Sequence, residues 1–171
     1  MRKFLGLALT SFILASCSTV PGPATRLERA NVLPLSLNDN FQIRKIKRFF
    51  NDEETQRIVT TSEPINVEIQ RMNFGAVTDV DRQQRFGNYF TFFWRTTERA
   101  DVTIRLEYRQ AALSNYVMAQ ERYYPNARGS YESPFEVTGD DFLEYGRVTS
   151  WRVLLIVDGK IVALRQSFIW K

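Results

Sequence analysis

The sequence predicts an all-β domain, an antiparallel β-sandwich of seven or eight strands with at most one short helix. From Ile65 onward apolar and polar residues alternate with a period of two, the spacing of strands that bury one face. Candidate strands recur at the short intervals of a sandwich. Asp158-Gly159 lies between two such runs, the two-residue signature of a type I′ hairpin.

Taken in order, Val32 to Leu37 reads as a first short strand or an extended lead-in. Phe41 to Phe50 alternates at Phe41 and Ile43 and shifts phase at Ile46, which predicts a strand with a bulge. Asn51 followed by Glu54 predicts one short helix over Asp52 to Ile58. Ile65, Val67 and Ile69 alternate with polar neighbours as a strand would. Phe90, Phe92 and Trp94 share one face of the next, and Val102, Ile104, Leu106 and Tyr108 share one face of Asp101 to Arg109. A turn over Thr97 to Asp101 would set these two faces edge to edge, Trp94 against Ile104 and Phe92 against Leu106. Tyr116 to Tyr124, Tyr131 to Val137, Arg147 to Val157 and Lys160 to Trp170 complete the set. The pattern resembles Ig-like or fibronectin-like sandwiches, without a disulfide signature.

The Asp158-Gly159 turn fixes a register in which Val157 faces Lys160 and Ile156 faces Ile161. Trp151, Val153, Leu155, Val162, Leu164, Gln166, Phe168 and Trp170 then lie on the core side. Arg152 falls opposite Arg165, and like charges so placed call for a carboxylate from a neighbouring strand or a bound anion.

Absent residues restrict the chemistry. There is no histidine, which removes Ser-His-Asp and Cys-His nucleophilic sites and all His-containing zinc sites. Cys17 is the only cysteine, so no intramolecular disulfide forms. Asp79-Val-Asp81 and Asp140-Asp141 lack the calcium-loop pattern and read as turns. No cofactor and no metal site are expected.

The first residues read as an export signal: basic Arg2 and Lys3, an apolar run from Phe4 to Leu14, then Leu14-Ala15-Ser16-Cys17. The run is too short to span a bilayer, which takes about 20 apolar residues. Leu-Ala-Ser-Cys resembles the lipobox of bacterial lipoprotein precursors, over residues 1–17 only. The resemblance implies a signal peptide cleaved after residue 16 and lipidation of Cys17 by diacylglycerol and a further acyl chain such as palmitate. Two or more chains make a durable membrane anchor. Ser18 in place of Asp implies, by the sorting rule of some enteric bacteria, the outer membrane and its periplasmic face in a Gram-negative cell.

The expected organisation is a signal peptide over 1–16, a Pro/Ser/Thr tether over 17–31 and one β-domain over 32–171. Loss of Arg2 and Lys3 from the 23 basic residues leaves 21 against 19 acidic ones, a mature charge of +2. That balance gives nucleic acid no electrostatic hold. The expected function is a lipid-anchored, non-catalytic interaction or assembly module of the cell envelope, its partners membrane lipid through Cys17 and an envelope protein. The alternative is a carbohydrate-binding module whose outer sheet face offers Tyr89, Phe93, Arg95, Arg105 and Arg109 for stacking on a glycan. A carboxylate-dependent hydrolase drawing on Glu132, Glu136, Asp140, Asp141 and Glu144 is the second alternative.

Overall fold

The computed structural model of the chain describes residues 22–28, 30–57 and 62–170. Cys17, with the expected cleavage site, lies outside the described residues. The protein is mostly antiparallel β-sheet, as alternation predicts. Among the described residues six strands form: β1 (Thr25–Leu27), β2 (Phe41–Asn51), β3 (Gly87–Gln110), β4 (Met118–Thr138), β5 (Val148–Val157) and β6 (Lys160–Gln166). They join one hydrogen-bonded sheet in the order β1-β4-β3-β5-β6, with β2 also on β3.

The count falls short of seven or eight because two expected hairpins do not form. Phe90–Trp94 and Val102–Tyr108 belong to the single strand β3, and the runs before and after Pro125 belong to β4. Each half of β3 pairs with a half of β4, Trp94 with Tyr131 and Leu106 with Gln120. Register shifts between Thr96 and Val102 mark a bend. The turn chemistry of that bend sits on β4, where Asn126 (φ 54°) and Gly129 (φ 99°) take left-handed conformations. Asp101 stabilises it by accepting a hydrogen bond from the Asn126 amide at 2.7 Å, which holds the Asp101 carboxyl below its ordinary pKa.

The bend divides the sheet into two arms. The first comprises β2 with the near half of β3 and the far half of β4; the second comprises β1, β5 and β6 with the remaining halves. Their inner faces share one core: Phe90 and Phe92 of the first arm stand 6.1 and 6.0 Å from Trp151 of the second, centroid to centroid. Trp94, Leu106, Tyr108, Phe135 and Val153 are fully buried in the same cluster. Each such side chain contributes roughly 1.5–3 kcal/mol by leaving water. The apolar faces of β3 do match, through the core rather than along an edge.

β2 carries the expected bulge, between Ile43 and Lys45. The hairpin at Asp158 (φ 49°) and Gly159 (φ 69°) has the expected turn, with Val157 opposite Lys160 and Ile156 opposite Ile161. A one-residue bulge at Val162 then shifts the pairing, so Arg152 faces Gln166 instead of Arg165. Leu164 thereby joins Leu33, Leu154, Ile156 and Ile161 in a second cluster on the opposite face. The carboxylate expected beside Arg152 is Glu107 of β3, 2.5 Å away.

Helices outnumber the expected one: α1 (Glu53–Arg57), α2 (Glu63–Asn73), α3 (Asp79–Gln83) and α4 (Asp140–Tyr145), with a 3-10 turn over Ala111–Leu113. α1 falls where predicted, its first turn capped by Asp52, which accepts from the Thr55 amide at 2.7 Å. α2 replaces the strand expected at Ile65 because Ser62 and Pro64 start a helix. Asp79-Val-Asp81 is no turn. Thr78 and Asp81 close a capping box that starts α3. Residues 25–27, expected in the tether, pair with β4 and tie to α4 through Arg26 and Asp141 at 2.6 Å.

Among the described residues, 52–57 and 62–86 lie outside the sheet, and the chain rejoins it at the Asn51–Gly87 pair. Gly87 (φ +148°) has no room for a side chain, since a Cβ would lie 2.1 Å from the Val137 carbonyl oxygen. Gly87→Ala is expected to cost about 3 kcal/mol or more in urea denaturation, against about 1 kcal/mol for Gly159→Ala, where the space is open. Equal costs would contradict the close approach.

Candidate functional site

The five residues expected to form a binding face follow one another along β3 on either side of the bend, so they do not lie side by side on paired strands. Tyr89 is buried, and its hydroxyl donates to the Arg85 carbonyl oxygen at 2.7 Å. Phe93 lies under two ammonium groups, Lys45 at 5.8 Å and Lys47 at 5.6 Å. Arg95 is exposed. Arg105 is buried and bonds Glu121 at 2.5 Å and the Asn31 carbonyl oxygen at 3.0 Å. Arg109 stacks on Trp170 at 4.5 Å. Lysine stems, ion pairs and the chain around Arg85 thus occupy much of the expected face.

The carboxylates have structural work as well. Asp141 holds Arg26, and Asp140 accepts from Gln84 at 3.3 Å. On the second arm's outer face Glu107, 2 % exposed, binds Arg152 at 2.5 Å and Arg105 at 3.6 Å. Removing one partner of such a buried network costs about 3–5 kcal/mol. Among the described residues no three metal-capable side chains converge.

An open cleft of about 1260 Å³ lies between α2, β2 and the C-terminal tail. Its position follows from the fold. α2 buries none of its residues, so it stands off the sheet and leaves Ile65 exposed. The excursion is held at its exit, where Asn51 Nδ2 donates to the Arg85 carbonyl oxygen at 2.9 Å and Arg85 Nη1 to that of Met72 at 3.0 Å.

The opposite wall is the tail. Expected as strand to Trp170, it leaves the ladder after Gln166, and Ser167 exchanges hydrogen bonds with the Trp151 backbone at 2.8 and 3.1 Å. The Trp170 ring is then held by two guanidinium groups, Arg109 at 4.5 Å and Arg152 at 5.1 Å. Between these fixed points Phe168 projects, 97 % exposed, with Ile169 beside it. Phe168 was expected on the core side; the Val162 bulge and the clamp turn it out.

Trp151, core-facing as expected, also lines the cleft. It is 8 % exposed, and its buried indole N–H has no hydrogen-bond partner. An unpaired buried donor costs about 1–3 kcal/mol. The Arg48 guanidinium stands 5.8 Å from its ring. Composition points to neither residue as a site, and the sequence places Phe168-Ile169-Trp170 inside the hairpin strand, with Phe168 on its core side.

Burial pushes the Tyr89 hydroxyl up to about 12, with the Glu136 carboxylate adding to the shift. Between pH 10 and 12 the unfolded chain loses this proton while the folded one keeps it, so stability falls as pH rises through that window. In thermal melts from pH 9 to 12 the loss is expected to be smaller for Tyr89→Phe than for the wild type; identical slopes would contradict a buried, bonded hydroxyl. Compared with protein-family models, curated proteins and solved structures, the chain has no match.

Proposed function

We propose that the protein is a lipid-anchored lipoprotein of the cell envelope whose β-domain is a non-catalytic interaction module. The anchor reading rests on Leu14-Ala15-Ser16-Cys17 behind a basic and apolar start. The module reading is carried by the cleft, which the exposed Phe168 and Ile169 of the tail line together with Ile65 of α2. Exposed apolar side chains grouped around a concavity, with a polar surround, mark a surface built for a partner. In the same reading the two arms act as the two layers of a sandwich joined at the bend.

The anchor and the domain lie close together. Arg122 Nη1 donates to the Gly22 carbonyl oxygen at 2.8 Å, so the chain is tied to the sheet from Gly22 onward. From Cys17 to Gly22 the chain reaches at most about 18 Å when fully extended. The domain would therefore work against the bilayer surface, on the periplasmic face of the outer membrane in a Gram-negative cell.

The test combines an acyl label with a cross-linker. Cells fed an alkyne-tagged palmitate should label the wild-type chain and leave Cys17→Ala unlabelled. A photo-crosslinking residue at position 168 should give a discrete adduct in the wild type that Cys17→Ala loses. A wild-type chain that is unlabelled and fractionates away from membranes overturns the anchor; absence of any adduct overturns the module.

A further inference from the structure

The cleft contains an open strand edge. Among the described residues β2 pairs with β3 alone, and the backbone of residues 45–50 makes no hydrogen bond except to β3. In an antiparallel ladder alternate residues direct both N–H and C=O to one neighbour, so every second residue of this stretch turns its pair away from β3. Ile46, Lys47, Arg48, Phe49 and Phe50 all line the cleft, and because successive side chains point to opposite faces, the cleft wraps the edge of β2. Its walls stand on either side of that edge. Lys47 and Phe49 pair with Thr91 and Tyr89, which share a second hollow with Arg71 and Met72 of α2, so α2 lies on that side. Arg48 points the other way, 5.8 Å from the Trp151 ring, and the tail bonds the Trp151 backbone through Ser167. The edge therefore runs between a helix and the tail, and among the described residues no strand fills the position about 4.8 Å beyond it.

Charge selects the occupant. From Phe41 to Asn51 β2 has four cations, Arg44, Lys45, Lys47 and Arg48, and no carboxylate. All four are exposed, and none forms an ion pair among the described residues. Of the two carboxylates lining the cleft, Glu68 is held by Arg71 at 3.0 Å. Cations on an edge repel a second β2, which would bring four more, and attract an acidic strand. The exposed Ile65, Phe168 and Ile169 offer apolar contact to the remaining side chains of such a strand. We propose that β2 binds an extended acidic peptide segment of a partner protein by strand addition, the peptide backbone on the open edge and its carboxylates against Lys47 and Arg48. This deepens the interaction-module reading and rests on it.

The full chain carrying Cys17→Ala, which removes the anchor site, is titrated with a capped hexapeptide alternating valine and glutamate while its backbone amides are followed by NMR. Saturable shifts over residues 45–50 are expected, strongest at alternate residues, which also gain hydrogen-exchange protection. Two peptides methylated at one or the other set of alternate nitrogens separate backbone pairing from charge alone. One should bind about tenfold more weakly or worse, through loss of the strand bonds, and the other nearly as well as the parent. Lys47→Glu with Arg48→Glu should lose the glutamate peptide by a similar factor and gain a peptide alternating valine and lysine. Lys47→Gln with Arg48→Gln is the milder pair, and an unmoved Trp94 indole signal, from its bond to Ser133 Oγ at 2.9 Å, reports that either variant is folded. Absence of a saturable shift, equal affinity for both methylated peptides and the parent, or equal affinity in the variants overturns the proposal. Shifts that appear with protein concentration alone overturn it in favour of a second copy, whose β4 carries Glu132 and Glu136. Sedimentation with phosphatidylglycerol vesicles without peptide binding overturns it in favour of a membrane surface. If the peptide fails while the position-168 adduct persists, strand addition falls and the module reading stands; if both fail, both fall.

Discussion

The structure depends on the bend in β3. One strand serves both arms, so the residues that pair with β2 and those that pair with β5 are covalently continuous. The bend is made on the partner strand by two left-handed residues, Asn126 and Gly129, and fixed by the Asp101 carboxylate on the Asn126 amide. Alternation then places Phe90, Phe92, Trp94, Ile104, Leu106 and Tyr108 all on the concave side. Straightening β3 would pull Phe92 away from Trp151 and split the core, so the bend and the core require each other.

The cleft is a consequence of the same arrangement. β2 can rejoin β3 at the Asn51–Gly87 pair only because Gly87 lets the Val137 backbone approach closely. The described residues between them lie outside the sheet, and α2 and α3 bury no residue. On the other wall, ionic contacts on the outer face of the second arm fix the tail: Glu107 places Arg152, and Arg152 with Arg109 holds Trp170. A buried charge network thus positions an exposed aromatic side chain, which links the stability of the sheet to the surface it offers.

Much of this was legible in the sequence, for identifiable reasons. Strict alternation over Asp101 to Arg109, the phase shift at Ile46 and the Asp-Gly turn are local signals with one structural meaning each. The expected hairpin over Thr97 to Asp101 had apolar matching behind it but no Gly, Pro or Asn, and the turn formers were on β4, where sequence spacing does not reveal what they face. Ile65 and Ile69 fit a helix at i, i+4 as well as a strand at period two; Ser62 and Pro64 decided the outcome. The Val162 bulge left no mark in the sequence, and it moved Leu164, Arg165 and Phe168 together. The expected binding residues lie along one strand and are partly covered, Arg95 excepted, because a face read from alternation does not show the lysines, carboxylates and loops around it.

The central claim is that both arms form one cooperative unit through β3, with the helical excursion outside it. Native-state hydrogen exchange tests this directly. Amides of Phe92 in the first arm and Leu106 and Val153 in the second are expected to open with free energies within about 1 kcal/mol of each other, at the level of global unfolding, while those of α2 and α3 open at lower cost. First-arm amides opening about 2 kcal/mol or more below those of the second would contradict a shared core built on a single bent strand.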